Sequence, residues 1–318
     1  MSSRHLSADE HVRRLKKWTR NSDQLNLSGD TVEGIDTDFI VMKLNEGKEQ
    51  IQAAIANLHT DYFVEWVAQA AVASTRLQSI PARALNSNRI IKVEYSSDGS
   101  EDRYIPLNLK SVTELAYSEG PPANYAIVGS NILVEPVPTE VGYFRFLLQV
   151  RDPNLDVRRG IVESISQSGG YLDTITLVDD SYNNAVNQAA LANAEWVTAV
   201  NYKGDIILDE IAVASYNDSS RTLTMQTDAV AYNNELITGT FYLVIGDRAS
   251  THSQMPVETQ KYYVEWAKTR IMYFDSNKDA VASLPFLKTI RNSILESLGE
   301  QGDMQQIPQY GSLTGNWG

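Results

Sequence analysis

The stretch "YAIVGSNILVEPVPTEVGYFRFLLQV", residues 125–150, reads as three β-strands. Gly129, Ser130 and Asn131 supply turn residues between two apolar runs, and Tyr125, Ile127, Ile132 and Val134 can cover one another across the resulting hairpin. Pro136 and Pro138 then end the pairing, because a proline has no N–H to give to a ladder. "YFRFLLQV" follows as a third strand before Asp152-Pro153. An antiparallel module therefore sits in the middle of the chain.

Upstream, "RIIKVEYSSDGSEDRYIPL" (89–107) predicts a strand, a polar turn at Ser96 to Glu101 and a second short strand, with "NLKSVTELAY" (108–117) as a short helix. Residues 62–78 fit two descriptions. Phe63, Val67 and Ala70 suit a helix, while the aromatic and β-branched content before Ile80-Pro81 suits a long strand. Earlier still, Asp36 and Asp38 offer caps for a helix on which Ile40, Leu44, Ile51, Ile55 and Leu58 recur with helical spacing. Ser7 and Glu10 have capping-box spacing for a first helix over about 8–20, whose Arg13, Arg14, Lys16, Lys17 and Arg20 read as a solvated face.

Downstream, residues 157–250 carry six apolar runs separated by Gly, Asn, Asp and Ser clusters, the pattern of a small barrel or sandwich, with a helical turn at "NNAVNQAALANA". The chain then becomes helical again. Pro256 suits a first turn, and Val264, Ala267, Ile271 and Phe274 line one face of the helix that follows. A last helix with Ile290, Ile294 and Leu298 is expected to bend or restart at Pro285 and to stop at Gly299.

The fold class is thus α+β: a helical bundle built from N- and C-terminal helices, with two inserted β-rich units, the second a small barrel or sandwich. The expected divisions are 1–60 for the first helices, 61–156 for the hairpin-bearing unit, 157–250 for the second β-unit, 251–300 for the closing helices and 301–318 for a flexible docking tail. In that tail Ile307, Pro308, Tyr310 and Trp317 are spaced anchors in a polar segment, suited to ordering on a neighbour. The bundle core is assigned to Ile40, Leu44, Ile51, Ile55, Leu58, Val264, Ala267, Ile271 and Phe274.

Composition narrows function. With 318 residues and 42% hydrophobic content the chain can bury cores, and the absence of Cys removes disulfides, thiolate metal sites and thiol nucleophiles. The amino terminus lacks the apolar core of a signal peptide, and no stretch approaches the roughly 18 apolar residues of a membrane span, so a soluble, unsecreted protein without membrane contact is expected. A formal charge of −13 disfavours gripping nucleic acid, which needs clustered Lys and Arg, yet it suits a surface past which DNA must slide. Sixteen Tyr against seven Phe favour semi-exposed contact surfaces.

Chemistry-bearing patterns are weak. Gly47-Lys48 lacks the upstream glycine and the following hydroxyl of a phosphate loop and lies within a predicted helix. His5, His11, His59 and His252 have no metal-ligand spacing. Asp275, Asn277 and Asp279 imitate a calcium loop, but Ala280 and Phe286 stand where Gly and an acid are needed. The paired acids Asp179-Asp180 and Asp209-Glu210 read as solvated loop residues among 40 acids, and no Gly-x-Ser-x-Gly elbow occurs. No catalytic residue, cofactor or metal is assigned.

Leu44-Asn45-Glu46-Gly47 on a helix, Ile80-Pro81 leading into strands, a Tyr125 to Pro138 hairpin ending in Pro-x-Pro, and a late helix at about 256–274 together resemble the head-to-tail adaptor (connector) proteins of tailed bacteriophages. The large unit at 157–250 is similar to the longer adaptors of podovirus-like and crAss-like phages; Ile80 stands where Leu is usual. The resemblance implies a structural, non-enzymatic virion protein at the head–tail junction, made in the host bacterial cytoplasm. It implies a homo-oligomeric ring, usually of twelve copies, that docks to the portal protein through its carboxyl end, meets tail or nozzle proteins below, and lets double-stranded DNA pass without specific binding. The alternatives are another tail or neck structural protein, or a β-rich carbohydrate-active enzyme or binding module. Helices at both ends speak against a fibre, and the missing acid–base constellation speaks against the enzyme.

Overall fold

A computed structural model of the protein describes residues 6–21, 36–58, 62–87, 89–226, 241–274 and 279–301. The protein is α+β, and its contacts divide it into two compact units, residues 52–152 and residues 1–51 together with 153–318. This division differs from the one expected from sequence: the barrel belongs with the helices, and the boundary falls inside the second helix.

The unit of residues 52–152 contains two four-stranded sheets. One has the order β1 (Val64–Ala70), β8 (Tyr143–Gln149), β3 (Ile90–Ser96), β4 (Ile105–Pro106), and the other β2 (Leu77–Ser79), β7 (Asn131–Glu135), β6 (Asn124–Val128), β5 (Asn108–Leu109). Residues 62–78, open to two descriptions from sequence, hold strands β1 and β2. Alternation explains the shared core. Val93, Phe144, Phe146 and Leu148 from the first sheet meet Tyr125, Ile132 and Val134 from the second. The β6–β7 hairpin pairs Tyr125 with Val134 and Ile127 with Ile132 around Gly129-Ser130, and Gly129 takes the positive φ of 62° that the turn requires. The short helix expected over 108–117 is instead strand β5 and a single 3-10 turn at Val112–Glu114, because Asn108 and Leu109 are drawn into pairing with β6.

On the outward side of β8, the Arg145 guanidinium lies 4.6 Å from the Trp66 ring and 4.4 Å from the Tyr104 ring. It also donates to Glu94 Oε2 from Nε at 3.0 Å and from Nη2 at 2.6 Å. The end of α2 (Thr37–Leu58) belongs to this unit. There Gln52 Nε2 donates to Val150 O at 2.9 Å, and its Oε1 accepts from Asp152 N at 3.2 Å.

In the other unit, β10 (Gly160–Ser168), β11 (Tyr171–Leu177), β14 (Thr222–Met225), β13 (Ile206–Asn217), β12 (Trp196–Val200) and β15 (Tyr242–Ile245) form a closed barrel in that order. Each matches one of the six apolar runs in the sequence. Closure removes both free edges and buries Leu172, Ile175, Val197, Ile211, Leu223 and Leu243 inside. Helix α3 (Ala185–Ala192), between β11 and β12, is capped by Asn184, whose side chain accepts from Asn187 N at 3.1 Å, and adds Leu191 to the barrel core. A parallel pair, β9 (Asn154–Leu155) with β16 (Ala249–Ser250), lies at the start and end of the barrel segment.

Besides α3, the helices of this unit are α1 (Ala8–Asn21), the first part of α2, α4 (Gln260–Phe274) and α5 (Asp279–Gln301). Ser7 Oγ accepts from Glu10 N at 3.3 Å, but the Glu10 carboxylate turns forward to Arg13 and Arg14, so only half of the capping box forms. The His11 ring meets Tyr263 of α4 edge-on at 5.5 Å, and Lys268 of α4 lies over Trp18 of α1. Helix α4 meets α5 through Thr269 and Ser283.

Ile40, Leu44 and Ile51 on α2 and Ala267 and Ile271 on α4 are buried here, and Val264 is half-buried. Three core assignments from sequence need separate treatment. Ile55 is buried but belongs to the 52–152 unit. Leu58 is 60% exposed: it keeps the helical spacing but is the last residue of α2, where the stripe ends. The side chain of Phe274 lies outside the described residues. Helix α5 runs through Pro285 without restarting and passes Gly299 to end at Gln301. Among the described residues no helix is long and apolar enough to cross a membrane.

Candidate functional site

Helix α2 presents a polar line, Asn45 and Lys48, beside its apolar stripe. Both side chains bind the backbone of the 153–155 segment. Asn45 Nδ2 donates to Leu155 O at 2.9 Å while Asn45 Oδ1 accepts from Leu155 N at 2.7 Å. Strand β9 pairs with β16 along its other edge, where Asn154 N donates to Arg248 O and Asp156 N to Ser250 O. The carboxamide therefore serves as a one-residue third strand. Lys48, fully buried, donates to Pro153 O. On the opposite face Gly47 meets Trp266 of α4: a Cβ at Gly47 would lie 2.8 Å from Trp266 Cβ. The Leu-Asn-Glu-Gly run is thus a joint in which Leu44 fills the core, Asn45 ties a strand and Gly47 admits an aromatic helix neighbour.

Just after β9, Asp156 and Arg159 form a buried pair. Arg159 donates from Nε to Asp156 Oδ2 at 3.1 Å and from Nη2 to Asp156 Oδ1 at 2.7 Å, and Asp156 Oδ2 also accepts from Ile245 N at 2.7 Å. Arg159 Nη2 reaches Asp38 Oδ1 in the first turn of α2 at 2.5 Å, and Nη1 lies 3.5 Å from Asn187 Oδ1 on α3. Burial pushes the Asp156 carboxyl up against the opposing pull of Arg159. Burial also works against the charge on Arg159, but Asp156 and Asp38 outweigh it and hold its pKa above the ordinary value. One guanidinium therefore ties α2, the β9–β10 connection and α3 together.

Above this tie lies an open groove of about 910 Å³ whose walls are α2 and α3. Val41 and Met42 come from α2, Val186 and Ala189 from α3, and Leu155 and Ile245 lie between them. Met42 and Val186, which both line the groove, are 46% and 53% exposed. The rim is acidic, with Asp36, Asp38, Glu46 and Glu49. Nothing here resembles a nucleophile–base pair. The groove can hold an apolar surface and attract positive charge, and Arg159 is already neutralised.

The other residues considered from sequence do structural work or fall outside the described residues. Asp179 lies 3.3 Å from Arg221, Asp180 accepts from Tyr182 N, and Asp209 lies 4.0 Å from Arg248. His252 pairs with Thr251, and His11 is buried against Tyr263. Ile307, Pro308, Tyr310 and Trp317 lie outside the described residues, as do His5, His59, Asp275 and Asn277. Neither Arg159 nor the groove was found from sequence. A usable signal existed in Asn45, Lys48 and Gln52, polar residues at helical spacing on a helix that buries most of its circumference. No protein-family model and no curated protein matches the chain.

Proposed function

We propose that the chain is a head-to-tail adaptor of a tailed bacteriophage: a structural protein that forms a ring, usually of twelve copies, between the portal and the tail and extends the DNA channel. The observation that carries this is the use made of the adaptor-like sequence features. Helix α4 packs on α2 with Trp266 against Gly47, Asn45 holds β9, and the Tyr125–Val134 hairpin is part of a sandwich core. All are joints of a scaffold, and none is aimed at a substrate.

Charge agrees with a DNA conduit. Residues 153–250 hold 13 acidic residues against five basic ones, a net charge of −8 out of the chain's −13. A surface of that kind repels the phosphate backbone and lets it pass. Residues 303–318 are the proposed portal-docking element, with Ile307, Pro308, Tyr310 and Trp317 as anchors; tail or nozzle proteins bind below.

The test is to remove residues 303–318 and to measure thermal unfolding and attachment to the portal protein of the same genome separately. Unchanged unfolding with lost attachment is expected. Unchanged attachment would overturn the docking assignment.

A further inference from the structure

We propose that the groove between α2 and α3 binds an amphipathic helix of another protein, its apolar stripe seated on Met42, Val186 and Ala189 and its basic flanks paired with Asp36 and Glu49. This goes beyond the adaptor function and does not depend on ring formation.

Shape is the first reason. The groove is an open trough of about 910 Å³ between two helices, and a third helix buries one row of side chains in such a space by setting its ridge between theirs. A small ligand would need convergent polar groups. The buried charged groups of the lining, Arg159 and Asp156, already pair with each other, and Arg159 also with Asp38.

Preorganisation is the second. Arg159 bonds Asp38 on one wall and approaches Asn187 on the other, and Asn45 fixes α2 to β9 at the floor. The walls are held apart by bonds that already exist, so the cost of ordering the site is met by folding.

Charge selects the occupant. Among the described residues Asp36 and Glu49 carry no salt bridge. Asp38 is already paired with Arg159 and Glu46 with Lys43, so Asp36 and Glu49 are the rim carboxylates that favour lysine or arginine beside an apolar stripe. The stretches 22–35, 227–240 and 302–318 contain acids and neither Lys nor Arg. Exposed Ile105, Leu109 and Tyr117 stand among Glu101, Asp102, Glu114 and Glu119. Helix α1 has basic residues, but Val12 and Leu15 on its apolar face are already buried. A basic helix of a different protein is the matching chemistry, and a second copy, whose α5 exposes Leu284 and Phe286 beside Lys288 and Arg291, is the competing occupant that the test separates.

The experiment uses the full chain and three labelled 18-residue peptides, with fluorescence anisotropy as readout. One peptide is a Leu/Lys amphipathic helix, the second has the same composition with its stripe scrambled, and the third is a Leu/Glu helix. Saturable binding of the Leu/Lys helix alone is expected. Val186→Asp discriminates sharply, because it removes an apolar seat while adding negative charge. The proposal requires at least a tenfold loss of affinity, whereas attraction by charge alone would leave binding equal or stronger. Asp36→Asn with Glu49→Gln should weaken binding several-fold and flatten its salt dependence. Equal binding of the scrambled peptide, unchanged binding in Val186→Asp, or a self-association of the chain that Val186→Asp abolishes would each overturn the proposal.

Discussion

Asn45 and Leu155 exchange two hydrogen bonds, at 2.9 and 2.7 Å, so that a helix side chain completes the backbone pairing of a two-residue strand. Asn45→Ala leaves both the amide and the carbonyl of buried Leu155 without that partner. At about 1–3 kcal/mol for each such group, the loss is roughly 2–6 kcal/mol. Asn45→Asp keeps the acceptor and loses the donor, and falls between the two. Urea midpoints rank the three proteins, and an Asn45→Ala variant as stable as the parent would contradict the pairing.

Gly47 tests the joint between α2 and α4 by the sign of an effect. In a free helix interior Gly→Ala stabilises by about 1 kcal/mol. Here the new Cβ would meet Trp266 Cβ at 2.8 Å, a part of the side chain that cannot swing away. Gly47→Ala should therefore destabilise by about 1–3 kcal/mol, as overpacking does. Trp266→Ala should be less harmful in the Gly47→Ala background than alone. Stabilisation by Gly47→Ala would mean that the helices do not meet there.

Arg159→Met strands Asp156, a buried carboxylate. Breaking one side of such a pair costs about 3–5 kcal/mol, while replacing both sides is often close to neutral. The double variant Asp156→Asn, Arg159→Met should recover much of the loss in a chemical-denaturation series. Equal stability of the single variant and the parent would remove Arg159 from its role as a tie.

Glu94 gives a pH signature in the 52–152 unit. Burial opposes its charge, but Lys92 and Arg145 outweigh burial and hold its carboxyl below the usual carboxylate range. A lowered folded pKa means stability that is complete above the unfolded value, about 4.3, and is lost as pH falls through the folded value. Glu94→Gln should cost roughly 1.5–3 kcal/mol at pH 6, the range of charge-assisted bonds. The gap to the parent should close progressively below about pH 4. A gap that persists unchanged at pH 3 would show that packing, not charge, holds the Arg145 stack.

Local patterns in the sequence translated well into local structure. The hairpin register, the six barrel strands and both ends of α1 follow from alternation, turn residues and capping, which act within a few residues. Pairing at a distance did not. Whether 62–78 is helix or strand depends on β8, some 75 residues later, which supplies a ladder to β1. The groove was invisible for the same reason: α2 and α3 are separated in sequence by the whole 52–152 unit, and Arg159, which ties them, looks from sequence like any surface cation. Leu58 and Gly299 failed in a simpler way, since a periodic stripe and a stop signal do not reveal where packing or helix growth ends.

The central claim is most directly tested by electron microscopy of the purified chain with and without its portal protein. The account predicts closed rings, seated coaxially on the portal, with an acidic lumen continuous with the portal channel. Single subunits that neither close into rings nor bind the portal, or rings with a basic lumen, would contradict it.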